Sequence, residues 1–289
     1  MVETRRSVIF LLLSPLFLVL GFVLIYPIFN TIFLSFTDFD IGSGRFEIVG
    51  FENYFKIVGD SEFSIALINT IIFVGVGVPI QLALGILLAL LLNKTFKLRG
   101  LARTIILFPF AIPAALNAII WRWMYNTDYG LFNDLLMKIG IINSPINWLG
   151  RPTLAMTSMI IVSIWKNASY MGLLILAGLQ AIPKEVIEAA QIDGARGWRL
   201  VKDIVLPLLK PVIIVALILR TIDGFKAFEL PFNLTGGGPG ISTQTLALYV
   251  YKVLFQYLSF DYGCAISTFY FIILMLLSIA YIKLLRARL

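Results

Sequence analysis

Side chains able to carry a proton, a metal or a nucleophile are scarce in this chain. Its 289 residues include no histidine and one cysteine, Cys264, which excludes an imidazole acid–base, a cysteine-rich metal cluster and an internal disulfide. No nucleophile–base pair or metal-ligand set is visible, so an embedded enzyme finds little support. The polar groups that remain are spaced for holding rather than for bond-making. Arg220, Asp223, Lys226 and Glu229 alternate in sign at intervals of three, which brings neighbours together on one helix. Ser163, Lys166, Asn167 and Tyr170 recur every three to four residues, a polar stripe on an otherwise apolar segment. Phe225 and Phe228 can stack on the C–H faces of a polar ring, and Ser267 and Tyr270 share a helix face.

Each group also has a plain reading. The charge ladder suits either mutual neutralisation, facing other helices or a water-filled vestibule, or contact with a polar solute. Lys166 can snorkel or pair with an acid, serines bond their own backbone, and rings pack. An unpaired arginine at mid-membrane costs at least about 2.5 to 3.5 kcal/mol. A structural ladder therefore predicts that replacing Arg220 alone harms folding more than replacing Arg220 and Asp223 together.

The elements that must position these groups are membrane spans. The chain is 60% hydrophobic and 13% charged, with a mean hydropathy of +0.94, beyond the range of soluble domains. Crossing a hydrocarbon core takes about 20 apolar residues. Blocks long enough for that predict an all-α membrane protein of six transmembrane helices, near 8–36, 64–92, 103–124, 154–180, 207–233 and 262–283. The first block follows Arg5 and Arg6 but is too long for a signal-peptide core and has no small-residue cleavage pattern after it. Pro109 and Pro113 are expected to kink the third span, which ends in an interfacial cluster of Trp121, Trp123 and Tyr125.

Six spans put both ends on one side. With both termini inside, the tails (through Arg288), the 94–103 loop and the 184–210 loop hold 14 basic residues, the outer segments hold seven, and Lys166 and Arg220 lie in spans. That bias sets the orientation, cytoplasmic N- and C-termini, through the preference of lysine and arginine for the inner face. No linker, low-complexity tract or short repeat interrupts the sequence, so 1–289 reads as a single transmembrane domain with an outer loop at 234–261. Whether 241–260 is an interfacial or a membrane-dipping helix stays open at this level.

The stretch 183–207 differs from everything around it. It carries Lys184, Arg196, Arg199 and Lys202 against Glu185, Glu188, Asp193 and Asp203, far too many charges for lipid. Its local grammar is helix, break, helix. Pro183 fits a first helical position, Glu185 and Glu188 follow near the positive end of the helix dipole, and Gly194 is a left-handed stop. A second piece from about Trp198 ends against Pro207, which can open the next span. Ala189, Ala190 and Gly194 leave one surface without bulk, where another backbone can approach.

Glu188-Ala189-Ala190, then Gly194, then Ile204-x-Leu206-Pro207, resembles the EAA loop of permease subunits in binding-protein-dependent ATP-binding-cassette (ABC) importers. Phe232-Asn-Leu-Thr-Gly-Gly-Gly-Pro239 with Thr243-Gln-Thr-Leu-Ala-Leu-Tyr-Val-Tyr-Lys252 resembles carbohydrate-uptake permeases of the maltose type. The segment Val49 to Ile57 is also similar to a stretch that precedes a core span in such permeases. The resemblance implies the type I ABC importer permease fold and a multi-pass cytoplasmic (inner) membrane location. It implies that Glu188, Ala189, Ala190, Asp193, Gly194 and Arg196 couple to an ATPase, with Glu188 in contact and Gly194 making the turn. The implied partners are a second homologous permease, two copies of an ABC ATPase subunit, an extracytoplasmic sugar-binding protein docking on the outer glycine-rich side, and the lipid bilayer, with no nucleic acid.

The chain itself is expected to bind no cofactor or metal, ATP and magnesium belonging to the partner ATPase. Its Gly-Gly-Gly-Pro run lacks the strand, lysine and Ser/Thr of a phosphate loop. As the resemblance implies, it would pass a mono- or oligosaccharide, with Ser163, Lys166, Asn167, Tyr170, Phe225, Phe228, Ser267 and Tyr270 as candidates along the path. Another polar solute such as glycerol phosphate, or ion-coupled secondary transport with Lys166, Arg220 and Asp223 as coupling groups, are the alternatives.

Overall fold

The computed structural model describes residues 2–40, 42 and 44–286; Arg288 of the basic tail lies outside them. The fold is mainly helical. In chain order, α1 (Val2–Leu20) runs through a π-helical turn, Gly21–Ile25, into α2 (Tyr26–Leu34). Strands β1 (Thr37–Asp40) and β2 (Arg45–Ile48) pair antiparallel, Thr37 opposite Ile48, a small ribbon added to the all-α expectation. Then come α3 (Glu52–Gly59), α4 (Ser61–Asn93), α5 (Arg99–Ala111), α6 (Ala114–Met124) and α7 (Leu131–Lys138). Next are α8 (Pro152–Gln180), α9 (Lys184–Ile192) and α10 (Gly197–Leu200), which passes through a second π turn, Val201–Val205, into α11 (Leu206–Phe225). α12 (Glu229–Leu234), α13 (Leu246–Phe255) and α14 (Phe260–Arg286) complete the described chain.

Among the described residues, five helical stretches are long and apolar enough to cross a membrane: Val8–Leu34, Ser61–Asn93, Pro152–Gln180, Gly197–Phe225 and Phe260–Lys283. The α5–α6 pair makes a sixth if it counts as one span, but the two are bent by 94° at the intervening break. The expected kink is thus a full break, and it lies at Pro113 alone; Pro109 stays inside α5. Pro113 has no N–H to offer the carbonyl four residues back and its ring crowds that carbonyl, and at this point Lys166 from α8 takes up the freed Pro109 carbonyl instead.

Two other prolines are absorbed instead. Pro27 and Pro207 each sit two residues beyond a π turn, where Tyr26 N–H bonds Gly21 O and Leu206 N–H bonds Val201 O. The wider i→i+5 turn leaves room where a proline ring would otherwise strike the carbonyl of the turn before it. Pro207 therefore does not open the fifth span: Gly197–Phe225 is one continuous helical run, and the second half of the charged hairpin is its beginning. At the other end the run stops at Phe225, not near 233 as the apolar pattern suggested.

The chain packs as two compact units, Met1–Asp60 with Val250–Ile273, and Ser61–Tyr249 with Leu274–Leu289. In the first, Asn53 is fully buried and ties the end of the long helix to the ribbon, donating to Ser35 O and Thr37 O at 3.3 and 2.8 Å. Ser35 and Tyr54 hydroxyls lie 2.7 Å apart, and Tyr262 donates to Asp60.

In the second unit α4 against α8 is the most extensive helix pair. A core of Ala89, Leu92, Ile175, Leu176, Leu179, Val205 and Leu209 fills the space with α11. The two helices are in close backbone contact at Gly85 and Gly172: a Cβ on Gly85 would lie 2.6 Å from Met171 Cβ and 3.0 Å from the Gly172 nitrogen. Backbone cannot yield as a side chain does, so Gly85→Ala is expected to destabilise the protein by about 1 to 3 kcal/mol or more. A lowered midpoint of thermal aggregation in detergent, against an unchanged one for Gly75→Ala, where a Cβ meets nothing within 4 Å, checks this.

Candidate functional site

The polar stripe of α8 and the charges of α11 meet in one cavity of about 120 Å³. Ser163, Lys166, Asn167, Arg220, Asp223 and Glu229 all line it, together with Asn117 of α6. Two groups of residues that are far apart in sequence thus form one site.

Three of its lining residues, Arg220, Ser163 and Asn167, are joined in a hydrogen-bonded chain through Gln81 of α4, which is 1% exposed. Arg220 Nε donates to Gln81 Oε1 at 3.0 Å, and Gln81 Nε2 donates to Ser163 Oγ at 3.1 Å. Asn167 Nδ2 donates to Ser163 O at 2.8 Å and to its Oγ at 3.3 Å. Arginine offers only donors, so the carbonyl side of the Gln81 amide must face it and the NH2 side is left for Ser163. Gln81 was missed in the sequence because its block was read for apolarity. A lone carboxamide in a span is itself the signal, since a buried amide needs partners.

The ladder is divided. Asp223 sits between Arg220 and Lys226, with N–O distances of 3.8 Å to each. The helix ends at Phe225, however, and Glu229 begins α12. Among the described residues Glu229 makes no ion pair. The four charges do not lie on one helix as their spacing suggested, and Arg220, 6% exposed, has Gln81 as its closest polar partner rather than the half-exposed Asp223.

Lys166 lines the cavity but its ammonium is engaged. It donates to the carbonyls of Phe110 at 3.0 Å, Pro109 at 3.4 Å and Ile112. These are the orphan acceptors created where α5 breaks, Pro109 O being the one that Pro113 cannot serve. A cation at a helix C-terminus also meets the negative end of its dipole. Lys166 is therefore the clamp of the broken span as well as a wall of the site.

Other expected path residues lie elsewhere. Tyr170 stacks on Phe110 with centroids 4.9 Å apart. Phe225 is buried, and Phe228 stacks on Phe232 at 5.1 Å. Ser267 bonds Gly263 O and lines a separate pocket with Pro27 and Thr31. Tyr270 has a buried hydroxyl with no hydrogen-bond partner among the described residues. None of these five lines the Ser163–Arg220 cavity.

The first half of the charged hairpin folds as expected, with one shift: Pro183 is the residue before the helix and Lys184 the first within it. Gly194 takes φ +87, and Ala195 N–H bonds Ala190 O at 2.9 Å, closing the helix end. Ala190 is buried within the chain. Ala189, Ala190 and Asp193 line an open groove of about 610 Å³ with Glu185, Arg199 and Asp203. Glu188 and Arg196 are exposed outside that lining. Ile192 and Trp198 are 86% and 66% exposed, large apolar groups on a hairpin rich in charge.

The glycine-rich stretch is locked rather than loose. Thr243, Gln244 and Thr245 are fully buried. Asn69 donates to Ile241 O and Gln244 O at 2.9 and 3.1 Å, and Leu246 N–H bonds Thr70 Oγ1 at 2.8 Å. α13 thus starts from a polar seat built by α4, a residue pair the sequence reading overlooked. The 126–150 loop is held in a comparable way. Asn133, 2% exposed, bonds Thr127 O, both polar groups of the Ile146 backbone and Trp148 Nε1. Of the expected interfacial cluster, Trp121 and Tyr125 are buried with ring centroids 5.6 Å apart, while Trp123 is exposed. Burial pushes the Tyr125 hydroxyl up to about 12, with Ser158 opposing.

Comparison with known proteins bears on what such a site serves. Residues 81–289 match the family described as binding-protein-dependent transport system inner membrane component. The chain is 40% identical to the trehalose/maltose transport system permease protein of Thermococcus litoralis, covering 96% of this chain and 94% of that protein. It is 38% identical to the sulfoquinovosyl glycerol transport system permease protein of Agrobacterium fabrum, covering 98% and 92%. A chain from the crystal structure of a bacterial ABC transporter involved in the import of the acidic polysaccharide alginate superposes with a TM-score of 0.86 at 23% identity, covering 98% and 96%.

Proposed function

Since the chain belongs to the family of binding-protein-dependent transport system inner membrane components, a multi-pass inner-membrane transport subunit, we propose that it passes a saccharide through the membrane in an ATP-driven importer. The observation that carries this reading is the cavity where α8 and α11 gather Ser163, Asn167 and Arg220 inside an apolar helix pack. Asn117, 2% exposed, adds an acceptor oxygen there that has no partner among the described residues. A neutral, hydroxyl-rich solute supplies donors and acceptors to such groups, and transported solutes are held near mid-depth. The relatives named for trehalose/maltose and sulfoquinovosyl glycerol support a carbohydrate class.

In this reading a second permease, two ATPase subunits and an external binding protein complete the machine. Both termini and the 183–207 hairpin lie in the cytoplasm, and the locked glycine-rich stretch lies outside, where the binding protein docks. ATP and magnesium stay on the ATPase subunits. Glu188, with the exposed Ile192 and Trp198 of the same hairpin, seats it on an ATPase, and the continuous helical run from Gly197 to Phe225 carries the resulting movement as a lever to Arg220. Ion-coupled transport through Lys166 is disfavoured by its geometry, because its donors are already occupied by the carbonyls of the broken helix.

The test is ATP turnover of the assembly purified with its partners, measured with maltose, trehalose, lactose and an alginate disaccharide. At least one is expected to stimulate turnover, and vanadate to abolish uptake of the same sugar. Uptake that ignores vanadate and collapses with an uncoupler overturns the reading; stimulation by glycerol phosphate alone moves the solute class.

A further inference from the structure

The face of α8 that carries Ser163, Lys166, Asn167 and Tyr170 continues at helical spacing through Leu173, Ala177 and Gln180. Those last three line a second cavity of about 250 Å³, roughly twice the volume of the first, closed by Leu92 of α4 and Arg103, Ile106 and Leu107 of α5. Register puts the Phe110–Tyr170 stack between the two. On α8 Tyr170 separates Asn167 of the first cavity from Leu173 of the second; on the α5–α6 side Phe110 separates Leu107 from Ala114.

The second cavity has one conspicuous imbalance. Arg103 is the one charged residue among the described residues of its lining, it makes no ion pair among them, and its Nε is buried with no hydrogen-bond partner. Buried donors are almost always satisfied, and a guanidinium fork is shaped to hold two oxygens side by side. Ser169, 3% exposed, and Gln180 are the neutral polar groups beside it, and Leu173 and Leu176 supply an apolar wall.

We propose that this cavity is an inner subsite of the solute path, in which Arg103 grips paired oxygens of the departing saccharide, either adjacent ring hydroxyls or a carboxylate. Gln180 adds a second polar contact, and the Phe110–Tyr170 stack divides the subsite from the first cavity. The inference rests on the reading of the chain as a saccharide permease. An anionic lipid headgroup would satisfy the same fork. The saccharide is favoured because the cavity lies on the helix face that already carries the first one.

The experiment uses the intact importer in nanodiscs, with Cys264→Ala and Ala177→Cys, Ala177 being an exposed position in the lining. The rate of maleimide labelling is measured with the saccharide that stimulates ATP turnover in the screen above, with and without ATP. The saccharide is expected to slow labelling, and Arg103→Gln to weaken that protection roughly tenfold, the loss of one charge-assisted hydrogen bond. Comparing a neutral sugar with the alginate disaccharide tells hydroxyls from carboxylate. A saccharide that stimulates turnover yet leaves labelling unchanged overturns the subsite and leaves the transport function standing. Protection that survives Arg103→Gln, or that follows phosphatidylglycerol in the nanodisc rather than sugar, also overturns it. Should Arg103→Gln not assemble, protection in the Ala177→Cys importer alone still decides.

Discussion

Replacing Glu188 by alanine is expected to uncouple the transporter: the ATPase subunits dissociate from the membrane complex or hydrolyse ATP without uptake. Glu188 is exposed on α9, outside the groove lined by Ala189, Ala190 and Asp193, so the substitution removes nothing that holds the hairpin itself together. Losing one partner of a charge pair buried in an interface costs about 2 to 5 kcal/mol, enough to dissociate a complex at working concentration. Co-purification of the ATPase subunits and uptake into vesicles check it, with the thermal stability of the isolated chain as the control that should not move. Gly194→Ala is the companion variant. Its φ of +87 is strained for any residue with a Cβ, so it should misalign the hairpin while leaving every charge in place. Full assembly and uptake in the Glu188 variant would remove the assigned role.

The second large effect is expected at Gln81. Gln81→Leu leaves Arg220 Nε without its acceptor and Ser163 without one of its two donors, both in a buried setting. Stranding a buried charged group costs several kcal/mol, whereas exchanging both partners for apolar groups is often near neutral. Gln81→Leu and Arg220→Met singly are therefore expected to express poorly and melt early, and the double variant to recover stability. Uptake should not recover with it, because Arg220 also lines the cavity proposed to take the solute. Double-mutant coupling of less than about 0.5 kcal/mol, the additivity expected of independent sites, would show that the contact carries no energy. The charge spacing had pointed to Arg220 with Asp223 as the coupled pair; Asp223 is half exposed and 3.8 Å away, so water screens it and the larger coupling falls to the buried amide.

The sequence was most legible where a residue type admits few environments. Eight charges between Lys184 and Asp203 cannot sit in lipid, and the hairpin was visible from them together with Gly194. The long uncharged blocks could only be spans. Legibility failed where geometry depends on a neighbour. Pro113 breaks a helix while Pro27 and Pro207 do not, and the difference lies in what stands ready to serve the freed carbonyls: Lys166 from another helix at the break, a π turn before Pro27 and Pro207. No local pattern announces either solution. Spacing of three likewise placed Glu229 beside Lys226 on a helix that in fact ends at Phe225.

What this sequence determined by itself is the solvent each segment must live in, because burying a charge or exposing twenty apolar residues is too costly for any fold to override. It thereby set the long apolar spans, the aqueous hairpin and the kinds of side chain available to the site, while the 94° break between Arg99–Ala111 and Ala114–Met124 was left to the fold. Which of those side chains meet one another was decided only in three dimensions. Gln81, Ser163 and Arg220 come from three helices, and their contact depends on how closely α4 and α8 approach at Gly85 and Gly172. That distance is a property of two packed surfaces, and no stretch of a single chain encodes it alone.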